Sequence, residues 1–273
     1  MRREELRQSG LRAARFADDG VRFLPASDQS LMVYFGERIT LEANARVVRL
    51  LRLLEREPIA AVRNVHPGYC SVLVKFDALR CMHADLEVTL RGYLGRLGSV
   101  RSAAQRVVEI PVCYGGEFGP DLEELSAAHG LTVAQVVTRH TAATYLAYFL
   151  GFVPGFAYLG RVGAGGQSKA TATSKAAGLK SSRPALRVQE EPWELAMPRL
   201  ATPRRKVPAG SVGIAGNQTA VYPFATPGGW RLIGRTPLKM FRAVPVAASI
   251  LSAGDRVRFV AISVEKFAEM ETA

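Results

Sequence analysis

The segment from Thr141 to Gly160 most constrains the fold, because its twenty consecutive residues carry no charge. That length would suffice for a helix that crosses a membrane. However, Gly151 and Pro154 interrupt its second half, and proline removes a helical hydrogen-bond donor and clashes with the preceding turn. Apolar residues also fill both alternating phases from Tyr145 to Leu150, which is typical of a strand buried on both faces. The sequence therefore predicts a buried strand and an aromatic-lined turn at 151–156, and no membrane span.

Composition is typical of a globular protein of the cytoplasm. The 273 residues are 48% hydrophobic and 22% charged, which suits one large domain or two small ones. The charged start, Met1 to Glu5, is followed by no apolar run, so we expect no secretory signal. Three cysteines without a C-x-x-C spacing favour reduced thiols and cytoplasmic localisation over a disulfide framework. The four histidines are scattered, and the sequence predicts no metal site.

The net charge of +12 is concentrated in two segments. Residues 161–206 hold ten Lys and Arg against three Glu, and the first sixteen residues hold five Arg against two Glu. Nucleic-acid binding needs a basic face with stacking aromatics or a recognisable module. Residues 161–192 contain no aromatic side chain, so we expect no nucleic-acid partner.

Residues 21–106 predict an α+β domain that follows a disordered basic tail at residues 1–20. Wide apolar stripes of helical period alternate there with short β-prone runs. The predicted order is strand 29–35, helix 37–55, strand 59–65, strand 71–76, helix 82–97 and strand 107–112. This β-α-β-β-α-β order is that of the ferredoxin-like motif.

Residues 107–273 predict an all-β domain with two short helices near its start. Asp121 and Thr132 suit the beginnings of these helices, through the helix dipole and a side-chain cap respectively. Short apolar runs separated by Gly and Pro then indicate a barrel or sandwich. Its strands are expected at 145–152, 211–215, 218–222, 231–236 and 256–259. Residues 161–196 are predicted to form a disordered insertion, mobile and dispensable at 163–190, because small and polar residues dominate its middle.

Two motif-like stretches do not match the chemistry they suggest. Residues 163–169 hint at a phosphate loop, but Ser168 replaces its second glycine and Ala170 replaces the residue that would coordinate Mg²⁺. Residues 209–213 look like a nucleophile elbow that lacks its first glycine, and Ser211 has no base at a recognisable spacing. We therefore expect neither a nucleotide loop nor a serine nucleophile.

Four segments are specific in combination, through their order and spacing. They are EIPVCYGGEFGPD at 109–121, YFLGFVPGFAYLG at 148–160, PRLATPRR at 198–205, and VPAGSVGIAGNQT at 207–219 with its continuation PGGWRLIGRTP at 227–237. On these motifs the chain closely resembles the family of the B subunit of 5-oxoprolinase, also called KipI or allophanate hydrolase subunit 1. The resemblance covers residues 21–260 apart from the insertion.

The resemblance implies that the α+β domain precedes a cyclophilin-like β-barrel. It also implies a subunit of an ATP-dependent enzyme, a hydrolase of cyclic amides that converts 5-oxo-L-proline to L-glutamate. The implied partners are a second cyclophilin-like subunit and a lactam-utilisation subunit, with ATP and Mg²⁺ bound at the level of the complex. Two departures lie beside the presumed pocket, namely the insertion and a Pro/Arg stretch shortened to residues 203–206.

Opening a lactam needs cations and amide donors around the oxygens on which charge develops. Candidates for catalysis are His140, a titratable group, Arg204, a cation, and Gln218, which can read an amide. Candidates for binding substrate or phosphate are Arg205, Arg235, Gly213, Gly216, Phe152, Phe156 and Tyr222. The alternatives are a helix-end cation for His140, solvated arginines, and aromatic residues that belong to the core.

Two other functions stay open at this point. The chain could inhibit a sensor histidine kinase, as KipI does, or act as a component of allophanate hydrolase or urea carboxylase. In either of the enzyme roles we expect the chain alone to be inactive, because it lacks an acid–base pair at a recognisable spacing. Its apolar turns at 152–158 and 223–230 are then expected to form a partner surface.

Overall fold

The computed structural model describes residues 20–100, 106–162, 193–243 and 248–272, and the backbone of a short strand at 187–188. The chain divides into two compact units. Unit 1 comprises residues 1–103 with 173–189, and unit 2 comprises residues 104–172 with 190–273. Most of the predicted basic tail and of the predicted insertion lies outside the described residues.

The elements are numbered in chain order. The strands are β1 (Arg22–Ser27), β2 (Ser30–Tyr34), β3 (Arg38–Ile39), β4 (Val62–Pro67), β5 (Ser71–Phe76), β6 (Val107–Tyr114), β7 (Thr144–Leu150), β8 (Ala157–Arg161), β9 (Arg187–Val188), β10 (Arg204–Val207), β11 (Ser211–Ala215), β12 (Gln218–Val221), β13 (Thr226–Gly228), β14 (Arg231–Arg235), β15 (Phe241–Arg242), β16 (Ala248–Ser249) and β17 (Arg256–Ala261). The helices are α1 (Leu41–Arg56), α2 (His83–Leu94), α3 (Leu122–Ala128), α4 (Val133–Ala142) and α5 (Val264–Thr272).

Unit 1 is built on an antiparallel sheet in the order β1-β2-β5-β4. Alternate residues of β5, namely Val72, Val74 and Phe76, are buried, because successive side chains of a strand point to opposite faces. Helix α1 adds its apolar stripe to the same core, and the Thr40 hydroxyl caps its start by accepting from the Ala43 amide at 3.0 Å. The helix predicted at 37–55 is thereby confirmed, with its start shifted to Leu41.

The predicted ferredoxin-like arrangement of unit 1 needs correction at one strand. Elements β2, α1, β4, β5 and α2 follow the predicted order. The strand expected to complete the motif at 107–112 instead lies in unit 2, as β6, where it pairs with β17. The sheet edge beside β2 is occupied by β1, which reaches it through a tight hairpin. Short β-prone runs do not reveal which sheet they join, since their pairing is set by contacts distant in sequence.

Unit 2 is a closed barrel in the order β11-β12-β8-β7-β17-β6-β14. The only parallel pair that the described barrel strands form is β6 with β17; the others pair antiparallel. The core is filled by aliphatic and aromatic side chains that include Ile110, Tyr145, Ile214 and Phe259. The two helices predicted after residue 119 are confirmed as α3 and α4, and the C-terminal helix α5 was not predicted.

The uncharged segment forms the β7–β8 hairpin of the barrel, which confirms its interpretation as core. Residues 145–148 of β7 are all buried, so both faces of the strand are covered. The turn at 151–156 joins the two strands, as predicted. Among the described residues, no helix combines the length and apolarity that a membrane crossing would need.

The ends of the predicted insertion are ordered parts of unit 2. Arg161 is the last residue of β8, where it pairs with Tyr145. Trp193, Leu195 and Met197 are buried in the barrel core. The boundaries 161–196 were therefore too wide, because Trp193 and Leu195 bring enough apolar surface to pack against the barrel.

Candidate functional site

A buried polar chain, here called the His140 chain, links Tyr114, His140 and Thr219 inside unit 2. The Nδ1 atom of His140 lies 2.7 Å from the Tyr114 hydroxyl, and its Nε2 atom lies 3.1 Å from the Thr219 hydroxyl. The Thr219 hydroxyl donates its single proton to the carbonyl oxygen of Gly213, at 3.1 Å. His140 Nε2 must then donate to Thr219, and Nδ1 must accept from Tyr114. The chain therefore holds His140 as one neutral tautomer.

The surroundings of His140 keep it neutral. The side chain is fully buried among the rings of Tyr145, Trp193 and Phe259, whose centroids lie 4.4 to 6.1 Å from that of His140. Burial lowers the pKa of His140 from 6.5 to about 3, and burial raises the pKa of Tyr114. The prediction that His140 is a titratable catalytic group is not supported, because a group with such a pKa does not exchange protons near neutral pH. Its position instead indicates a structural role.

Arg204 is held by an ion pair with Asp121. One guanidinium nitrogen lies 2.6 Å from Asp121 Oδ1, and another donates to the carbonyl oxygen of Trp230 at 3.4 Å. The second oxygen of Asp121 accepts from the Leu232 amide at 2.6 Å. Asp121 thus joins β10 to β14 from the start of α3, in addition to the dipole role predicted for it. The carboxylate of Asp121 therefore largely neutralises the charge of Arg204.

An aromatic group next to Arg204, here called the Trp230 cluster, consists of Phe156, Tyr158, Tyr222 and Trp230. The ring of Phe156 is central, with centroids of the other three rings at 5.1 Å, 5.3 Å and 5.6 Å in edge-to-face contacts. Burial raises the pKa of both tyrosines, so they are protonated near neutral pH. Phe156, Tyr222 and Trp230 are buried and form a core cluster with Val207 and Leu232, so the cluster also contributes to packing.

Close packing fixes Tyr222 in this cluster. A Cβ atom at Gly228 would lie 2.4 Å from the Tyr222 hydroxyl oxygen, so only glycine leaves room for the phenol. Phe152 flanks the cluster through an edge contact with Phe156, at 5.5 Å between ring centroids. It is 62% exposed and has φ of 70°, a left-handed conformation that non-glycine residues rarely adopt. An exposed aromatic residue held in such a conformation is typical of a recognition site.

The remaining predicted site residues lie elsewhere on unit 2. Arg235 stacks on Phe118 at 4.7 Å and Phe267 at 5.4 Å, in a separate apolar cluster beside α5. Arg205 is exposed on β10, and Gln218 begins β12 opposite Ala215. Gly213 is buried and ends the His140 chain through its carbonyl group, whereas Gly216 has φ of 56° in the β11–β12 turn.

The structure thus brings together only some of the predicted residues. Phe152, Phe156, Tyr222 and Arg204 meet around the Trp230 cluster. His140 and Gly213 belong to the buried chain, and Arg235 contacts a third group of residues. Within the described ranges, no group of three or more His, Cys, Asp or Glu side chains is placed to hold a metal ion.

Comparison with protein families identifies the chain. Residues 21–175 and 186–250 match the family model described as "Carboxyltransferase domain, subdomain C and D". The chain belongs to this family. The match includes both units, and it contains the β7–β8 hairpin and the Trp230 cluster.

Several proteins are similar to this chain over most of their length. The protein of Bacillus subtilis (strain 168) named as the B subunit of 5-oxoprolinase is 38% identical over 86% of this chain and 90% of its own. The protein of the same name from Escherichia coli O157:H7 is 45% identical over 81% of this chain and 87% of its own. The chain therefore belongs with the B subunits of 5-oxoprolinase, the branch that its motifs predicted.

Solved structures agree with the fold. The crystal structure of TTHA0988 is 31% identical, with a TM-score of 0.66 over 86% of this chain, but this chain spans only 40% of that one. The Kluyveromyces lactis urea amidolyase shares the fold, with a TM-score of 0.64 over 94% of this chain at 17% identity, and this chain spans 16% of it. In both, the region similar to this chain is one part of a longer polypeptide.

Sequence reasoning missed two residues at this site, namely Tyr158 of the Trp230 cluster and Arg199 beside it. Arg199 lies over the Trp230 ring, with its Cζ atom 5.7 Å from the ring centroid, and Tyr158 lies 6.1 Å from the same ring. Both residues occur within the family motifs, but nothing local distinguishes Arg199 from Arg204 and Arg205, since its contact is with a residue distant in sequence. Only the pairing of 198–200 with 229–231 shows where it points.

Unit 1 has a pocket of its own that none of the predicted site residues lines. It has a volume of about 450 Å³ and opens at the start of α1. Its walls are formed by Gly20, Phe35, Gly36, Glu37, Arg38, Thr40, Glu42, Ala43 and Arg46. Cations and carboxylates alternate around it, so its charge does not favour a ligand of either sign.

Proposed function

We propose that this chain is one subunit of an ATP-dependent 5-oxoprolinase complex that converts 5-oxo-L-proline to L-glutamate in the cytoplasm. The observation that carries the proposal is the extended similarity to two proteins named as B subunits of 5-oxoprolinase, at 38% and 45% identity. The motifs around the Trp230 cluster and the barrel strands are the same ones that produced the family resemblance in the sequence.

The geometry supports a subunit that is not catalytic on its own. His140 is buried and neutral, and Arg204 is neutralised by Asp121. Because both residues already have hydrogen-bonding or charged partners, we assign neither of them the role of a free acid, base or cation. We propose that the surface over the Trp230 cluster, with the exposed Phe152 at its edge, is the face of the subunit that meets substrate. Arg204 would orient this face, and Gln218, Arg205 and Arg235 stay predictions.

Cofactors and partners follow from the same proposal. The donor set of the described residues does not fit a magnesium–nucleotide complex, because the carboxylates nearest the cluster, Asp121 and Glu124, are each paired with an arginine. We therefore place ATP and Mg²⁺ on another subunit. The proposed partners are a second subunit with a cyclophilin-like barrel, the class we also assign to unit 2, and a lactam-utilisation subunit.

The two alternative functions receive no support from the named relatives. None of the described relatives is named as a kinase inhibitor. The similarity to urea amidolyase, at 17% identity, shows the fold alone. The 5-oxoprolinase subunit is therefore the function that we propose.

Reconstitution tests this proposal. The chain is purified and mixed with a second cyclophilin-like subunit and a lactam-utilisation subunit, together with ATP, Mg²⁺ and 5-oxo-L-proline. Release of glutamate and ADP should require all three proteins and should be absent when any one is omitted. Glutamate production by this chain alone, or an inactive full mixture, would contradict the proposal.

A further inference from the structure

The backbone around Arg199 is fixed beside Trp230. The Leu200 amide donates to the carbonyl oxygen of Gly229 at 2.7 Å, and Arg231 Nε donates to the carbonyl oxygen of Pro198 at 3.4 Å. These two hydrogen bonds flank Arg199 on both sides along the chain. The fixed backbone limits the positions that the Arg199 side chain can adopt, so less conformational freedom is lost when it binds a ligand.

The charge of Arg199 differs from that of the neighbouring arginines. Arg204 is paired with Asp121 at 2.6 Å, and Arg231 with Glu124 at 2.5 Å. Arg199 forms no ion pair with any residue that the structure describes, and it is exposed with its guanidinium over the buried Trp230 ring. A guanidinium stacked on an aromatic ring keeps its edge donors directed outwards and is more weakly hydrated than an ammonium. It is consequently suited to bind an anion that arrives from solvent.

Two tyrosine rings belong to the cluster that Arg199 covers. The Tyr158 ring packs against the same Trp230 ring, and the Tyr222 ring packs against Phe156. Burial raises the pKa of each phenol, while the positive charge of Arg199 acts in the opposite direction on both. Both phenols are therefore protonated near neutral pH.

We propose that Arg199, held over the Trp230 ring, binds the carboxylate of 5-oxo-L-proline. This inference rests on the proposed function, for which it names the substrate-binding residue of this subunit. One guanidinium beside apolar rings matches a small ligand with a single negative charge and a carbon ring. A nucleotide phosphate carries more charge, and Arg204 and Arg231 are already neutralised by carboxylates, so the cluster suits a carboxylate better.

The test measures binding to the complete chain, without turnover. Isothermal titration with 5-oxo-L-proline is compared with 2-pyrrolidone, the same ring without its carboxylate. Wild type should bind 5-oxo-L-proline, and 2-pyrrolidone should bind about tenfold or more weakly. Arg199→Gln should weaken the binding of 5-oxo-L-proline by a similar factor and leave the binding of 2-pyrrolidone unchanged. The affinity of Arg199→Lys for 5-oxo-L-proline should lie between those of wild type and Arg199→Gln, because lysine keeps the charge but lacks the paired donors of the guanidinium.

Arg258→Gln is the matched control, because Arg258 is an exposed arginine of β17 and its loss changes the net charge equally. It should bind like wild type. The inference is overturned if wild type does not bind 5-oxo-L-proline, if both ligands bind equally, or if Arg199→Gln binds like wild type. It is also overturned if ATP or inorganic phosphate binds in an Arg199-dependent manner and displaces 5-oxo-L-proline. Since reconstituted turnover is scored separately, an active mixture that tolerates Arg199→Gln would defeat this inference and leave the proposed function standing.

Discussion

The His140 chain and the Trp230 cluster both place polar groups next to aromatic rings of unit 2, but the two regions differ in how far those polar groups are buried and paired. In the His140 chain, both ring nitrogens have partners and the side chain is fully buried. In the Trp230 cluster, Arg199 lies exposed on a buried ring, without an ion pair among the described residues. Satisfied and buried groups contribute to folding, whereas an exposed cation on a prepared aromatic surface is available for recognition. We therefore expect the first region to serve stability, and we propose the surface around Arg199 for binding.

Removing the His140 ring should have the largest effect on stability. His140→Ala removes the acceptor of the Tyr114 hydroxyl and the donor to the Thr219 oxygen and opens a cavity, so the free energy of unfolding should fall by about 3–5 kcal/mol. Trp193 and Trp230 are the two tryptophans of the chain and both belong to unit 2, so their fluorescence in a urea titration reports this unit. Arg199→Ala should cost less than about 1 kcal/mol in the same assay. Equal losses in the two variants would remove the distinction between the regions.

Crowding at Gly228 should destabilise the Trp230 cluster by a smaller amount. A methyl group at this position would overlap the Tyr222 hydroxyl, so Gly228→Ala should lower the free energy of unfolding by about 1–3 kcal/mol. Tyr222→Phe removes that oxygen and provides the control background, in which Gly228→Ala should cost clearly less. If the loss is the same in both backgrounds, the close approach of residue 228 to Tyr222 is not what limits packing there.

Acidification should destabilise unit 2, because His140 is buried in its neutral form. Folding lowers the pKa of His140 from 6.5 to about 3, so the unfolded chain takes up a proton more readily than the folded chain. Stability is therefore lost as the pH falls below about 6.5, and the loss should reach about 2 kcal/mol at pH 5. His140→Gln should remove this pH dependence from the fluorescence-detected transition. His129→Gln, at the other histidine of unit 2, should keep it, and the reverse pattern would show that His140 is not the buried group responsible.

The fold was predictable wherever a pattern is local. The period of residues 37–55 predicted α1, and the double apolar phase from Tyr145 to Leu150 predicted β7. What failed was the assignment of the strand at 107–112 to its sheet. That strand completes the barrel through parallel pairing with residues 256–261, which no local pattern reveals.

The candidate site was less predictable, because residue type does not show burial or pairing. His140 was chosen for its ordinary pKa and its place beside an uncharged segment, yet the packing of β17 and Trp193 around it makes it neutral. Arg199 and Arg204 occur in one motif and differ only in that Asp121, far away in sequence, neutralises the second. Sequence therefore named Phe156 and Tyr222 of the cluster but missed Tyr158, and the pairing of the cations is visible only in the structure.

The central claim is that recognition belongs to the Trp230 cluster and stability to the His140 chain. The most direct test is the ratio kcat/KM for 5-oxo-L-proline in the reconstituted complex, measured with wild type, Arg199→Gln and His140→Gln under identical conditions near neutral pH, after fluorescence has shown equal folded fractions. Arg199→Gln should lower the ratio by about tenfold or more, mainly through a higher KM, because it removes a charged hydrogen-bond donor. His140→Gln, once folded, should stay within about threefold of wild type. A complex that tolerates Arg199→Gln and loses turnover with folded His140→Gln would contradict the account.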